Sequence, residues 1–414
     1  MVSTTSASAF EFHGYFRDPL GFNSRGGGQV CFQLPGSEFK ARLGNECDHY
    51  WELQFDHTVY QDATGLEAKV SFMPAYGLLA TQPTGRAGYG YGTGSVYTAQ
   101  MWASLKIPQL RGASFWAGQR YYRRHNVESD DWFYWNPYQG YTAAGVEDVD
   151  VVIGKLAVAV GRGESIGTQA NPANVLAGTY LLPEIRVYDI PVNRNGTLEI
   201  GINGAVAIDH GDTLGANRRS VSPWFTVEHA QQKFLGGFNR VTFQFANGAA
   251  ATMLATPLSG ATSGPRQWRV IEQVMFSPVP EISGQLFLLY QDQTNLLGGK
   301  EAPGTGARIF TSEIRPAYHF TEWFKVQTDV FFQVLDQKAS SAGAARLLKI
   351  TLAPTLVAGR GFLARPELRL FATWGFWNAA ATALGDALGT PMASGVYGTG
   401  TSGLVIGAHV EAWW

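Results

Sequence analysis

Nowhere does the sequence hold a run of apolar residues long enough to cross a bilayer as a helix, which takes roughly 18 or more. Its mean hydropathy of −0.08 shows the apolar residues dispersed rather than gathered. Charge is scarce too: only 15% of the 414 residues are Asp, Glu, Lys or Arg, against about 25% in typical soluble domains. Much of the surface is therefore not built to face water. Neither sign of charge prevails, and a net charge of −2 leaves no basic footprint for nucleic acid. Only two cysteines occur, and neither has metal-ligand spacing with a partner. No nucleophile motif and no H-E-x-x-H spacing is found, so neither a catalytic centre nor a metal or other cofactor is expected. Met1 is not followed by the basic and apolar regions of a secretory signal. Residues 1–9 read as a flexible N-terminal segment of a mature chain with an added initiator Met, and no linker divides residues 1–414, which are read as one barrel domain.

What is present is alternation. In Leu404 to Trp414, period two places Leu404, Ile406, Ala408, Val410, Ala412 and Trp414 on one face, and Val405, Gly407, His409, Glu411 and Trp413 on the other. One face is wholly apolar; the other mixes an acid, an imidazole and an indole. The pattern recurs from Phe10 to Arg17, from His49 to Tyr60 and in further stretches, each about ten residues long, the length that crosses a bilayer when tilted. One of them is read as a single strand from Val149 to Val160. Tight connections such as His319 to Glu322 and Gly236 to Asn239 contrast with long glycine-rich ones, including Gly26 to Ser37, Asn136 to Gly145 and Ala379 to Ser402. Only helices and closed sheets satisfy their backbones in lipid. A chain too uncharged for a soluble surface and too polar for membrane helices is thus expected to form a transmembrane β-barrel, although periodicity alone leaves a soluble sandwich open. Cys31 and Cys47 flank the turn signal Pro35-Gly36-Ser37 and read as a loop closed by a disulfide in an oxidising compartment, with two unpaired thiols as the alternative.

The faces assigned to the lumen interleave aromatic residues (Tyr15, Tyr50, Trp413) with ionic ones (Arg17, Arg42, Glu52, Arg124, Asp131). Rings stack on the flat faces of sugars, and charged groups exchange hydrogen bonds with sugar hydroxyls, each worth about 1.5 to 3 kcal/mol before water is displaced. Taken singly, each ring reads more readily as a residue of an interfacial girdle. Trp413 argues otherwise, because it shares its face with His409 and Glu411. His125, Asp130 and Asp131 are read as part of a carboxylate-rich pore wall.

Phe12-His13-Gly14-Tyr15, Cys31-Phe32-Gln33, Arg42 to Cys47, Trp116 to His125, Phe133-Tyr134-Trp135, Gly237-Phe238-Asn239, Lys349 to Ala353 and Gly407 to Trp414 resemble, in that order, the maltoporin family of maltodextrin-selective outer-membrane porins. The resemblance runs over nearly the whole chain, with the long loops diverging. It implies a closed 18-stranded antiparallel barrel, a homotrimer in the bacterial outer membrane, and a sugar channel in each subunit. It implies an aromatic track of Tyr15, Tyr50, Phe238 and Trp413, and an ionic track of Arg17, Arg42, Glu52, Arg124 and Asp131. The third loop, around Asp130 to Asn136, is expected to fold inward and narrow the pore, with Phe133 and Asn136 at the constriction, and Cys31 and Cys47 match the family's disulfide.

The departures concern binding. Phe133 replaces the family's constriction tyrosine, and Asn136 stands for an aspartate. Tyr97 occupies the place of a track arginine, and Leu363 that of a track tryptophan. The second loop has no tryptophan, leaving Tyr89 or Tyr91 as substitutes. A track with fewer tryptophans and charges is expected to hold maltodextrins less tightly. A general-diffusion porin is the alternative, and a soluble carbohydrate-binding or hydrolytic β-protein the one from another class. The barrel reading predicts that the purified chain stays in solution only with detergent or lipid; free solubility without amphiphile excludes it.

Overall fold

A computed structural model describes residues 10–79, 95–138, 141–164, 179–208, 221–258, 264–297 and 300–414. The expected flexible segment 1–9 and the second-loop tyrosines Tyr89 and Tyr91 lie outside these residues. The strands are β1 (Phe10–Asn23), β2 (Asp48–Gln61), β3 (Glu67–Leu79), β4 (Ser95–Lys106), β5 (Ser114–Gln119), β6 (His125–Val127), β7 (Trp132–Trp135), β8 (Thr142–Val151), β9 (Gly154–Glu164), β10 (Thr179–Asn193) and β11 (Gly196–Ala207). They continue with β12 (Val221–Phe234), β13 (Gly237–Asn247), β14 (Arg266–Val279), β15 (Ile282–Thr294), β16 (Leu296–Leu297), β17 (Lys300–Glu301), β18 (Ala307–His319), β19 (Phe324–Gln337), β20 (Ala345–Val357), β21 (Glu367–Trp377) and β22 (Ser402–Trp413).

Eighteen of these form one antiparallel sheet, and β6–β7 and β16–β17 are small hairpins within loops. Each barrel strand pairs with its successor, β5 passing to β8 and β15 to β18. The last strand, β22, returns to β1 from Tyr15 opposite Trp413 to Asn23 opposite Val405. The sheet is closed, so it has no edge left to satisfy.

Side chains sort inside out. Along β13, Val241 and Phe243 are 38% and 46% exposed, while their neighbours Thr242 and Gln244 are completely covered. The same alternation places Ile200 and Ile202, Ile350 and Leu352, and Leu368 and Leu370 on the outside, with Arg269, Gln285, Glu313, Asp329, Lys349 and Glu411 within. In water this would be an inverted protein; in a bilayer it is the stable arrangement.

The polar interior is covered because two segments fold into it. Ser24 to Cys47, closed by the Cys31–Cys47 disulfide with Cα atoms 6.0 Å apart, lies against β20 and β21. There the Lys349 ammonium donates to the carbonyls of Lys40, at 3.0 Å, and Ala41. Thr351 and Thr373 donate to the carbonyls of Leu43 and Gly44, each at 3.1 Å. Arg120 to Tyr138 is held by Arg269 to the Tyr134 carbonyl at 2.7 Å, by Gln285 to the Ser129 amide at 2.9 Å and by Trp135 to Asn203 at 3.1 Å. The two segments meet through the edge-to-face pair Phe39–Trp132, with centroids 4.8 Å apart. The apolar core is thus a plug of rings between the wall and the inward loops, not a layer between sheets.

Three local readings are corrected. The stretch from Val149 to Val160 is two strands, β8 and β9, joined by a tight turn at Val152-Ile153. No glycine or proline precedes that turn, so the alternation runs through it unbroken. Residues from Thr142, expected to be loop, belong to β8; their alanines and glycine are too small to show an apolar face. Within the glycine-rich stretch Ala379 to Ser402, residues Ala379–Leu388 form a helix, α1. The Asn378 side chain caps it by accepting from the Ala381 amide, and Gly389 ends it at φ 65°.

Lys349 is fully buried with Asp329 and Glu313 as its neighbouring acids. Lys349→Met leaves the carbonyls of Lys40 and Ala41 without their donor, while Arg315 still pairs with both acids, and is expected to lower stability by about 1 to 3 kcal/mol. Thermal unfolding in detergent checks the loss, and a larger single-channel conductance would accompany release of the first inward segment.

Candidate functional site

The closure of the barrel builds the site. Register places Tyr15 of β1 opposite Trp413 of β22 on one side and opposite Glu52 of β2 on the other, with Tyr50 opposite Arg17. The three rings form a row on the inner wall: Trp413 to Tyr15 is 6.3 Å and Tyr15 to Tyr50 is 6.1 Å between centroids. Tyr97 of β4 extends it, its hydroxyl 3.4 Å from that of Tyr50.

Behind the rings lies a dense ionic network. The Tyr15 hydroxyl accepts from Arg42 at 2.6 Å and Arg17 at 3.2 Å, and donates to Glu411 at 3.1 Å. Arg42 is only 3% exposed and spends its donors on Glu46 at 2.9 Å, Glu128 at 3.1 Å and Glu411 at 2.5 Å besides. Arg17 meets Asp48 at 2.5 Å, Asp131 at 2.7 Å and Glu46 at 3.2 Å. Burial disfavours ionisation of the Glu46 carboxyl, but Arg42 and Arg17 outweigh it and hold the group down at about 2. Trp413 is backed by Arg365, whose guanidinium lies 4.0 Å from the ring and 2.8 Å from Glu411. These arginines orient rings more than they present free donors.

The opposite wall is the inward segment Arg120 to Tyr138. Together the walls enclose a cavity of about 520 Å³ that also includes Tyr121, Arg124, Asn126, Glu128, Phe133, Asn136 and Leu363. Arg124 lies between rings, 3.9 Å from the centre of Tyr121 and 4.3 Å from that of Phe133. Glu52 accepts from the hydroxyls of Tyr50 and, at 3.2 Å, Tyr121.

Tyr15, Arg17, Arg42, Tyr50, Glu52, Arg124, Asp131, Phe133, Asn136 and Trp413 therefore all border one cavity. Phe238 does not. It faces inward from the start of β13, about half-way round the barrel, with Arg240 4.9 Å from its ring; it belongs to the strand, not to the Gly236 to Asn239 turn. Leu363, 44% exposed, presents a branched aliphatic chain to the cavity. Asp130 is corrected: it is 1% exposed and no part of the pore wall. Its carboxylate accepts from the amides of Lys40, at 2.7 Å, and Ala41, so it joins the two inward segments. Its neighbour Asp131, at φ 54°, turns to Arg17 instead. His125 likewise serves the wall, 2.9 Å from Glu228 and 3.4 Å from Glu199. Sequence reasoning assigned no role to Tyr121, Asn126, Glu128 or Arg365; the stretch Phe115 to Arg123 reads as one strand, but β5 ends at Gln119, and all four residues lie outside the barrel strands, where parity does not indicate direction.

The model of the LamB porin family matches residues 10–414. The chain belongs to the LamB porin family. It is accordingly a porin of the bacterial outer membrane, and family and fold alike are those of a channel. Among solved structures, the porin is similar to OccK9 (OpdG) of Pseudomonas aeruginosa at 10% identity and TM-score 0.51, over 98% of each chain. It also matches the outer-membrane expressed OmpT of Vibrio cholerae, at 11% identity and TM-score 0.43 over 100% of each chain. At such identity the likeness to OccK9 concerns the barrel fold alone.

Burial pushes the Asp130 carboxyl up to about 7, with two backbone donors and the nearby Lys40 and Lys349 pulling the other way. Between roughly pH 4, where the unfolded group titrates, and about 7, the folded porin holds a proton that the unfolded chain lacks. Its stability therefore falls as pH rises through that window. Asp130→Asn keeps an acceptor for both amides and removes the titration. Thermal unfolding in detergent at pH 5 and pH 8 is expected to show a drop in the parent that is smaller in the variant.

Proposed function

We propose that this porin is carbohydrate-selective, giving passive and saturable diffusion of maltodextrins or related oligosaccharides along an aromatic track flanked by ionic groups. The observation that carries the reading is the row Trp413, Tyr15, Tyr50 on one wall of a cavity whose other wall presents Arg124, Glu128 and Asp131. Rings offer sugars a continuous apolar surface with no directional demand, so a sugar slides from one to the next without losing all contact. Charged groups alongside replace the water stripped from sugar hydroxyls. Phe238, apart from this row, acts in the proposed track as a later contact on the far wall.

Several features weaken the grip. Phe133 offers no hydroxyl, Leu363 no ring and Tyr97 no charge, so binding is expected to be weaker than in a maltoporin with the full track. A general-diffusion porin on the same scaffold is the second reading, favoured by Leu363 in the cavity.

We also propose assembly as a homotrimer. The apolar exterior is interrupted on β1 and β2 by the ion pair of Asp18 and His49 at 2.6 Å, with Asp18 well exposed on the side of Leu20 and Phe22. Lipid disfavours such a pair, whereas a second copy of the chain covers it.

Titration with maltohexaose in a planar bilayer tests the function: the ion current is expected to fall saturably. A linear response with no block removes sugar selectivity and leaves general diffusion. Trp413→Ala is expected to weaken block roughly three- to tenfold, as loss of one ring contact implies, with ion conductance nearly unchanged.

A further inference from the structure

We infer that the preferred sugar carries a carboxylate and that Arg124 is the group that recognises it; this rests on the oligosaccharide-channel reading above. Three guanidinium groups and three carboxylates border the cavity. Two of the guanidinium groups are neutralised several times over: Arg17 by Asp131, Asp48 and Glu46, and Arg42 by Glu128, Glu46 and Glu411. Two of the acids are paired with these arginines in turn, and the third is held by hydrogen bonds alone. Asp131 is held by Arg17, Glu128 by Arg42 and by Asn126 at 2.9 Å, and Glu52 by the hydroxyls of Tyr50 and Tyr121.

Arg124 alone is left over. Among the described residues it has no carboxylate within ion-pair distance, unlike its neighbours Arg120 and Arg123, which reach Glu147 at 2.5 Å and 3.9 Å. The rings of Tyr121 and Phe133 lie 3.9 Å and 4.3 Å from its guanidinium carbon. Phe133, lacking an oxygen, takes none of its N–H groups. A guanidinium held against rings keeps its donor edge for an in-plane partner, and a carboxylate matches that edge with two parallel hydrogen bonds where a hydroxyl makes one. The rings Trp413, Tyr15 and Tyr50 border the same cavity and supply the stacking surface for the sugar that bears the acid.

The test compares the C1-reduced alditol of maltohexaose with its C1-oxidised aldonate, both open at the former reducing end and differing there by the carboxylate, by block of ion current through the purified porin. Half-block by the aldonate is expected at about tenfold lower concentration, as one charge-assisted contact implies, and the ratio should shrink from about 0.1 M to about 1 M salt. In Arg124→Gln the ratio is expected to approach one, and Arg124→Lys should restore part of it. Equal block by the two sugars, or a ratio that survives Arg124→Gln, overturns the assignment and leaves the sugar channel standing. Block by neither sugar overturns both. Should the variants fail to fold, the parent decides: a ratio that does not change with salt overturns the role of charge.

Discussion

Backbone amides and carbonyls inside a hydrocarbon layer find no water, and each must be paired within the protein. That requirement forces β22 back onto β1, and the site follows from the seam. Tyr15 and Trp413 lie almost at opposite ends of the sequence, yet they stand opposite each other because the last strand has nowhere else to pair. The row of rings and the closing register are one feature, and a shift of one residue would turn Trp413 outward and Trp414 inward.

Closure also creates the second problem. A barrel of eighteen strands encloses a polar wall that must be hydrated or matched. The chain matches much of it with its own loops. Lys349, Arg269, Thr351 and Thr373 spend their donors on loop carbonyls, Gln285 accepts from a loop amide, and Asp130 locks one inward segment to the other. Buried charges of this kind add little net stability against an apolar substitute, but removing one partner is costly. They specify where the loops sit, and hence the width of the bore.

The same distinction separates the arginines of the channel. Arg17 and Arg42 are consumed by carboxylates and hold Tyr15 in place, so their contribution to a passing solute runs through the ring. Arg124 rests on rings and keeps its charge for the lumen. Residues similar in kind and close in space thus do different work because of how many acids surround each.

By itself the sequence determined the alternation, and with it the strands, their two faces and a membrane barrel, because period two and scarcity of charge are properties of the chain. It also announced Tyr15, Tyr50 and Trp413 as inward rings, since parity is inherited from neighbours such as Glu52 and Glu411. Where local signals are silent it misled. The turn at Val152 has no glycine or proline before it, the helix from Ala379 is hidden among small residues, and Asp130 and Asp131 look alike until a left-handed backbone sends them opposite ways. Which arginine remains free, that Tyr121 joins Glu52, and that Phe238 stands apart from the row were decided only by the tertiary structure, because they depend on segments up to hundreds of residues apart meeting inside a closed wall.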